Sequence, residues 1–326
     1  MKKQNYPENL VSIIVITYNS SKFIIETLES IKKQTYKSIE LIVCDDCSTD
    51  KTIDIIESWI ENNKTRFFRF QIIKSKINTG VPANLNRGIK ASNGDWIRLL
   101  AGDDLLKEDC IEYSVNAVIK DIEQIKVYRT SSTHFEVIDG EKKYFDNIQK
   151  KSIFYHPSIT TKQQLILALR NINPSMTTFF INKEVYENVG GFDERFRLFE
   201  DRPFVIRLLE HNYKIFCDNR VTGYHRVHNE SIFNSGKNNQ VITDWTITSY
   251  IPVMKTYFLP KVSLIEVLLH KYYFILARFY HKNLNKKTQF NQLSYKFLKY
   301  PYVLMKNIIK KIIVLIVSIQ LNFIRR

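Results

Sequence analysis

The chain has 326 residues, 44% of them hydrophobic and 13% aromatic, with only nine glycines and eight prolines. That length and apolar content suit a large α/β domain with an appendage and exclude a wholly disordered, collagen-like or low-complexity chain. The net charge of +15 is uneven: residues 255–326 hold 14 Lys and Arg against the single acid Glu266, while residues 1–254 hold 34 basic and 32 acidic residues.

Residues 1–9 show no apolar run behind Lys2 and Lys3, so no signal peptide is expected and a cytosolic address follows. Residues 11–16 form a near-continuous apolar run, the pattern of a parallel strand buried on both faces. Ile24, Leu28 and Ile31 then recur at i, i+4, i+7, the stripe of an amphipathic helix. Residues 39–44 read as a second strand, and Ser48 or Thr49 is positioned to cap the helix that follows. A third strand is expected over 68–73, a helix over 82–90 and a fourth strand over 96–100. Strands alternating with helices at this spacing predict a mostly parallel, Rossmann-like, doubly wound sheet. The middle is less regular, with a strand pair around 127–137 turning at Asp139-Gly140, a helix over 162–170 and another opening at Arg202-Pro203.

In such a sheet, ligands bind beyond the carboxyl ends of the strands. The residues there are Thr17-Tyr18-Asn19, Asp45-Asp46, Asn78-Thr79-Gly80 and Ala101-Gly102-Asp103-Asp104. Four carboxylates and an aromatic on one rim suit a divalent cation and, through it, a phosphate. Neither a G-x-G-x-x-G after the first strand nor a G-x-x-x-x-G-K-[ST] occurs, which disfavours dinucleotide dehydrogenases and P-loop enzymes. Each acidic pair also has a plain reading as a helix cap. The same holds for Glu200 and Asp201, whose functional reading is a general base for an acceptor hydroxyl. Cys44 and Cys47 flank two carboxylates that oppose a low thiol pKa, and Cys110 and Cys217 stand alone, so neither redox chemistry nor zinc is expected. In Tyr224-His225-Arg226-Val227-His228, a strand would set Tyr224, Arg226 and His228 on one face, able to meet a diphosphate or complete a metal shell.

Taken in order, these segments resemble glycosyltransferase family 2, which has the GT-A fold. The resemblance rests on 11–19 ending in Thr17-Tyr18-Asn19, on Gln34-Thr35-Tyr36 and on 40–50 with Asp45-Asp46-Cys47-Ser48. It continues through Asn78-Thr79-Gly80, Asn86-Arg87-Gly88, Gly94-Asp95-Trp96, Gly190-Gly191-Phe192-Asp193-Glu194 and Glu200-Asp201, spanning about residues 10–232. It implies a metal-dependent, inverting transfer of a sugar from a nucleotide-sugar, a UDP-sugar for preference, to a glycan or lipid-linked hydroxyl in surface-polysaccharide synthesis. By the same resemblance, Thr17, Tyr18, Asp46, Gly80, Asn86 and Asp103 would contact the nucleotide, with Tyr18 stacking on the base. Asp104 and His228 would serve the metal, Mg2+ or Mn2+. Asp201 would be the base, supported by Glu200. The chain departs from the family pattern at Ile16 (usually Pro), Cys47 (usually Gly) and Ala101 (often Asp).

A catalytic domain over 1–254 and a basic helical extension over 255–326 are therefore expected. The uncharged stretch 312–324 has 13 residues, short of the roughly 20 a membrane span needs. Basic residues interleaved with Tyr, Phe and Ile suit a helix lying on an anionic membrane, and so a peripheral place on the inner face of the cytoplasmic membrane. A helical appendage packed on protein is the plainer alternative. Nucleic acid is not an expected partner, because the tail is rich in aliphatic residues. The two competing classes are a non-catalytic sugar-nucleotide-binding or scaffold protein and a basic-tail nucleic-acid binder.

Overall fold

The computed structural model describes residues 7–145, 152–170, 176–228 and 240–324. Its chain divides into one unit of residues 1–157 and 174–227 and another of residues 158–173 and 228–326. In the first unit, β1 (Val11–Thr17), β2 (Ile39–Asp45), β3 (Arg69–Lys74) and β4 (Trp96–Ala101) pair in parallel in the order β3-β2-β1-β4. The links are α1 (Ile24–Lys32), α2 (Thr52–Asn63) and α3 (Val81–Ala91). The expected α1 stripe of Ile24, Leu28 and Ile31 is fully buried, against a core that includes Ile13, Val15, Leu41, Trp59 and Trp96. Each such side chain contributes about 1.5–3 kcal/mol on burial. A Cβ on Gly88 would lie 2.4 Å from Ile14 Cγ2 and 2.9 Å from Cys44 Sγ. Only a residue without a side chain lets α3 approach β1 and β2 this closely.

Beyond β4 the sheet is mixed, which corrects the mostly parallel expectation. β5 (Leu105–Leu106), β6 (Val127–Ile138), β7 (Glu141–Phe145), β8 (Phe179–Asn182) and β9 (Ile215–Arg226) extend it to nine strands among the described residues. β8 is antiparallel to β4 and to β6, β9 is parallel to β6, and β5 is antiparallel to β9. A parallel pair needs a crossover connection, which the first four strands have, whereas a two-residue turn forces antiparallel pairing. β6 and β7 show this: Asp139 and Gly140 both have positive φ (53° and 81°), as a tight hairpin turn requires. Trp96 stacks on Phe180 at 5.0 Å, joining the two halves of the sheet. The first unit also carries α4 (Cys110–Val118), α6 (Lys183–Asn188) and α7 (Asp201–Glu210), and the second opens with α5 (Thr161–Leu169).

The rest of the second unit is helical. A short α8 (Ile251–Val253) sits between two π-helical turns, Thr246–Tyr250 and Met254–Phe258. Then come α9 (Leu264–Asn283) and the 36-residue α10 (Gln289–Ile324). The expected break at residue 254 falls inside this unit. Ser263 and Glu266 form a capping box at the start of α9, and Glu266 also binds Arg170 at 2.9 Å. The α9–α10 contact is tyrosine-rich: Tyr273 and Tyr302 stack at 4.6 Å, and the Tyr280 hydroxyl donates to Ser294 Oγ at 2.8 Å.

Candidate active site

Strand order reverses between β1 and β4, so the crevice expected of an open α/β sheet lies past the ends of these two strands. Tyr18 stands there, exposed, just after β1. Thr17 is buried, and its hydroxyl donates to Asp45 Oδ1 at 2.9 Å. Asp45 also accepts from the Ser48 amide at 2.8 Å and from the Ser48 hydroxyl. Ser48 is thereby used inside the loop. It is Asp50 that accepts from the Thr52 amide at 3.0 Å where α2 begins, in place of the expected Ser48 or Thr49 cap.

Asp46 is a fastener. Its carboxylate accepts from the amides of Thr79 (3.0 Å) and Gly80 (2.7 Å), from Thr79 Oγ1 (2.8 Å) and from Arg87 Nη2 (2.7 Å). Burial alone would raise its pKa, but these donors hold it below the usual carboxylate value. Gly80 sits at φ +92°, and a Cβ there would come 2.9 Å from Arg197 Cβ. Asn86 Nδ2 donates to the Phe192 carbonyl at 2.9 Å and to Glu194 at 2.8 Å, while its Oδ1 accepts from the Phe192 amide at 2.8 Å. Asp46, Gly80 and Asn86, expected from the sequence to contact the nucleotide, are also the residues that tie the 78–80 loop and the 191–197 turn in place.

Asp104, past β4, is held differently. Its Oδ1 accepts from the Arg226 amide at 3.0 Å, and its Oδ2 meets His225 Nδ1 at 3.1 Å. Arg226 Nε donates to the Asp103 carbonyl at 2.9 Å, and its guanidinium pairs with Glu26 at 3.1 Å and lies over Phe23 and Phe135. The hydrogen bond to Asp104 raises the His225 pKa against the effect of burial. His134, opposite His225 in the β6–β9 register, meets it edge-on at 5.2 Å, and burial together with the His225 charge lowers its pKa. The sequence pointed to His228 as the imidazole. The structure ends β9 at Arg226, leaves His228 beyond the strand, and sets His225 against Asp104. Strand alternation was the available signal: His225 has the opposite parity to Tyr224 and Arg226.

Glu200 and Asp201 open α7, with Glu200 at the cap position but making no capping bond. Burial raises both carboxyls. The Asp201 charge and a hydrogen bond to Asp201 raise Glu200 further, while the Met176 amide and Glu200 partly restrain Asp201. Two buried carboxyls so close titrate as a pair, and both are held above the usual carboxylate range. Met176 belongs to the turn Met176–Thr178, which packs against β4 and leads into β8, antiparallel to β4. Through that turn Asp201 is tied to β4, the strand that Asp103 and Asp104 follow. Among the described residues, no group of three or more His, Cys, Asp or Glu is arranged to hold a metal ion. The thiols of Cys44 and Cys217 are each pushed up to about 12 by burial, which removes them from chemistry.

A parallel half-sheet with an acidic rim, completed by antiparallel strands and a carboxyl pair at a helix start, has the architecture of a GT-A glycosyltransferase. Residues 12–190 match the family described as Glycosyl transferase family 2. An uncharacterized glycosyltransferase of Rickettsia typhi is 31% identical over 240 residues, covering 72% of this chain and 70% of that one. The chain belongs to glycosyltransferase family 2. It is also 29% identical to an Escherichia coli UDP-Glc:alpha-D-GlcNAc-diphosphoundecaprenol beta-1,3-glucosyltransferase, over 68% of this chain and 79% of the relative. Staphylococcus aureus TarS residues 1–349, solved with UDP-GlcNAc, shares the fold at a TM-score of 0.59 and 18% identity, over 90% of this chain and 80% of that one. A Pyrobaculum calidifontis mannosyltransferase solved with GDP-Man and Mn2+ does so at 0.52 and 14% identity, over 94% and 73%.

Proposed function

We propose that the chain transfers a sugar from a UDP-sugar to a hydroxyl of a glycan or lipid-linked acceptor in surface-polysaccharide synthesis, inverting the anomeric centre. The observation that carries this reading is that two carboxylate sites are tied to β4: Asp104, just past it, with His225, and Asp201 with Glu200, bonded to the turn that packs on it. Asp201 takes the proton of the acceptor hydroxyl as it attacks. Glu200, whose carboxyl pKa is raised by burial and the Asp201 charge, supports and orients it. Attack from the side opposite the departing diphosphate accounts for inversion. Tyr18 stacks on the uracil, and Asp103 faces the nucleotide. Thr17, Asp46, Gly80 and Asn86 shape the wall that receives it.

A carboxylate oxygen and an imidazole nitrogen fit Mg2+ or Mn2+. Such an ion keeps several waters and takes substrate phosphates as ligands, so it needs only one or two side chains. Asp104 and His225 would hold it, with His225 rather than His228 as the imidazole. When bound, the ion offsets charge on the departing diphosphate. The relatives named above support the donor and acceptor classes: one is named for UDP-Glc and a diphosphoundecaprenol-linked acceptor. The place that goes with this reading is the cytoplasmic side of the membrane, where a lipid-linked acceptor is presented. No described helix is long and apolar enough to cross a membrane.

The test is release of UDP from a panel of UDP-sugars, with and without lipid-linked glycan acceptors and with and without chelator. Acceptor-stimulated release that chelator abolishes supports the reading. Binding of UDP-sugars without release under any acceptor would favour the non-catalytic alternative.

A further inference from the structure

α10 is about 54 Å long at 1.5 Å per residue. Phe290, Phe297, Leu304, Ile308, Leu315 and Ile319 recur along it at intervals of seven and four, which sets them on one narrow face. All six are exposed, Phe297 at 79% and Leu315 at 60%. α9 repeats the pattern with Leu264, Leu268, Ile275 and Phe279, Ile275 being 71% exposed. Exposed basic residues border both rows: Lys271, Arg278 and Lys282 on α9, Lys296 and Lys311 on α10. The only acid in residues 255–326, Glu266, is buried and bound to Arg170. The described surface of α9 and α10 therefore displays cations together with aliphatic and aromatic side chains and no acidic side chain.

We propose that the exposed rows of α9 and α10 seat on an anionic lipid bilayer, with α10 lying in the plane of the interface. An apolar row this long needs a cover that accepts aliphatic side chains along its whole length. An acid-free basic border needs anions beside that cover. A bilayer with anionic headgroups supplies both. A second copy supplies only the first, since pairing two such faces brings like charges together. The catalytic proposal needs the acceptor's chemistry; this one names the surface on which the enzyme works, and it stands or falls apart from catalysis.

The test uses the full chain and vesicles of phosphatidylcholine with or without phosphatidylglycerol. Co-sedimentation should be strong with phosphatidylglycerol and weak without it. It should fall several-fold, but not vanish, as salt rises, because the aliphatic part is not screened. The triple variant Phe297→Glu, Ile308→Glu, Leu315→Glu should lose at least about tenfold in partitioning while keeping helix content and UDP binding. The single variant Leu315→Trp, which keeps the row apolar, should show a blue-shifted emission on phosphatidylglycerol vesicles relative to the parent. A full chain that ignores these vesicles overturns the proposal, as does a Leu315→Trp variant whose emission does not move. A triple variant that stays folded and still sediments overturns it too. Dimers that the triple variant splits, with no vesicle binding by the parent, assign the rows to a second copy. Loss of UDP binding in the parent would count against the catalytic reading and leave this one standing.

Discussion

Asp45-Asp46 and Asp103-Asp104 look alike in the sequence: two acids each, just past a buried parallel strand. In the structure they part. Asp46 is saturated by two amides, a hydroxyl and a guanidinium, all from the 78–80 loop and α3. Asp104 has one amide and one imidazole, and that imidazole could serve a cation. A carboxylate whose acceptor sites are filled by main-chain donors holds the fold together. Asp104, with fewer donors and an imidazole facing it, is the carboxylate proposed for the cation. Glu200 and Asp201 form a third kind, two acids that burial, and for Glu200 the neighbouring Asp201 charge, hold above the usual carboxylate range.

The sharpest way to break this division is to remove charge without shape. Asp201→Asn should cut turnover by about 10²–10⁴ while UDP binding and melting temperature hold. If it transfers normally and Glu200→Gln is dead, the base is the other carboxyl. Asp104→Asn should cost about 10²–10³ in turnover and abolish the response to added Mg2+ or Mn2+, again with little change in melting. Asp46→Ala should do the reverse. It leaves the Thr79 and Gly80 amides and Arg87 without their acceptor, so stability at neutral pH should drop by about 1–3 kcal/mol, read by urea unfolding, with turnover falling less than in either other variant. Because the Asp46 pKa is depressed on folding, its contribution is present above the ordinary aspartate range and is lost as pH falls through the folded value. The gap between wild type and variant should close in acid.

Glu200→Gln is the smallest expected effect and the finest test. Its folded pKa is raised, so wild-type stability falls as pH rises from the ordinary glutamate range through the folded value. Glutamine has no such dependence. Melting curves of the two proteins should coincide below the ordinary glutamate range and separate progressively as pH rises to the folded value, with the variant the more stable. Curves that stay parallel would remove the raised Glu200 pKa. Turnover of the wild type should have an acid limb above the usual carboxylate range, because Asp201 must be free of the proton to act.

Local pattern alone determined the first hundred residues. Apolar runs, the Ile24, Leu28, Ile31 stripe and the crossover spacing placed β1 to β4 and their helices, and with them the rim where Tyr18, Asp46 and Asp104 stand, because each is a short-range consequence of side-chain periodicity and strand-end geometry. The Asp139-Gly140 turn was legible for the same reason. Which donors hold each acid was not, because they lie elsewhere along the chain: Arg226 for Asp104, Thr79 and Arg87 for Asp46, Met176 for Asp201. That His225 meets Asp104 turned on the register of β9, which its pairing with β6 and β5 decides. The tail's charge was visible at once. That its one acid is buried while its apolar rows are exposed followed only from the packing of α9 on α10 through Tyr273 and Tyr302, since composition counts side chains and tertiary packing selects the ones that face out.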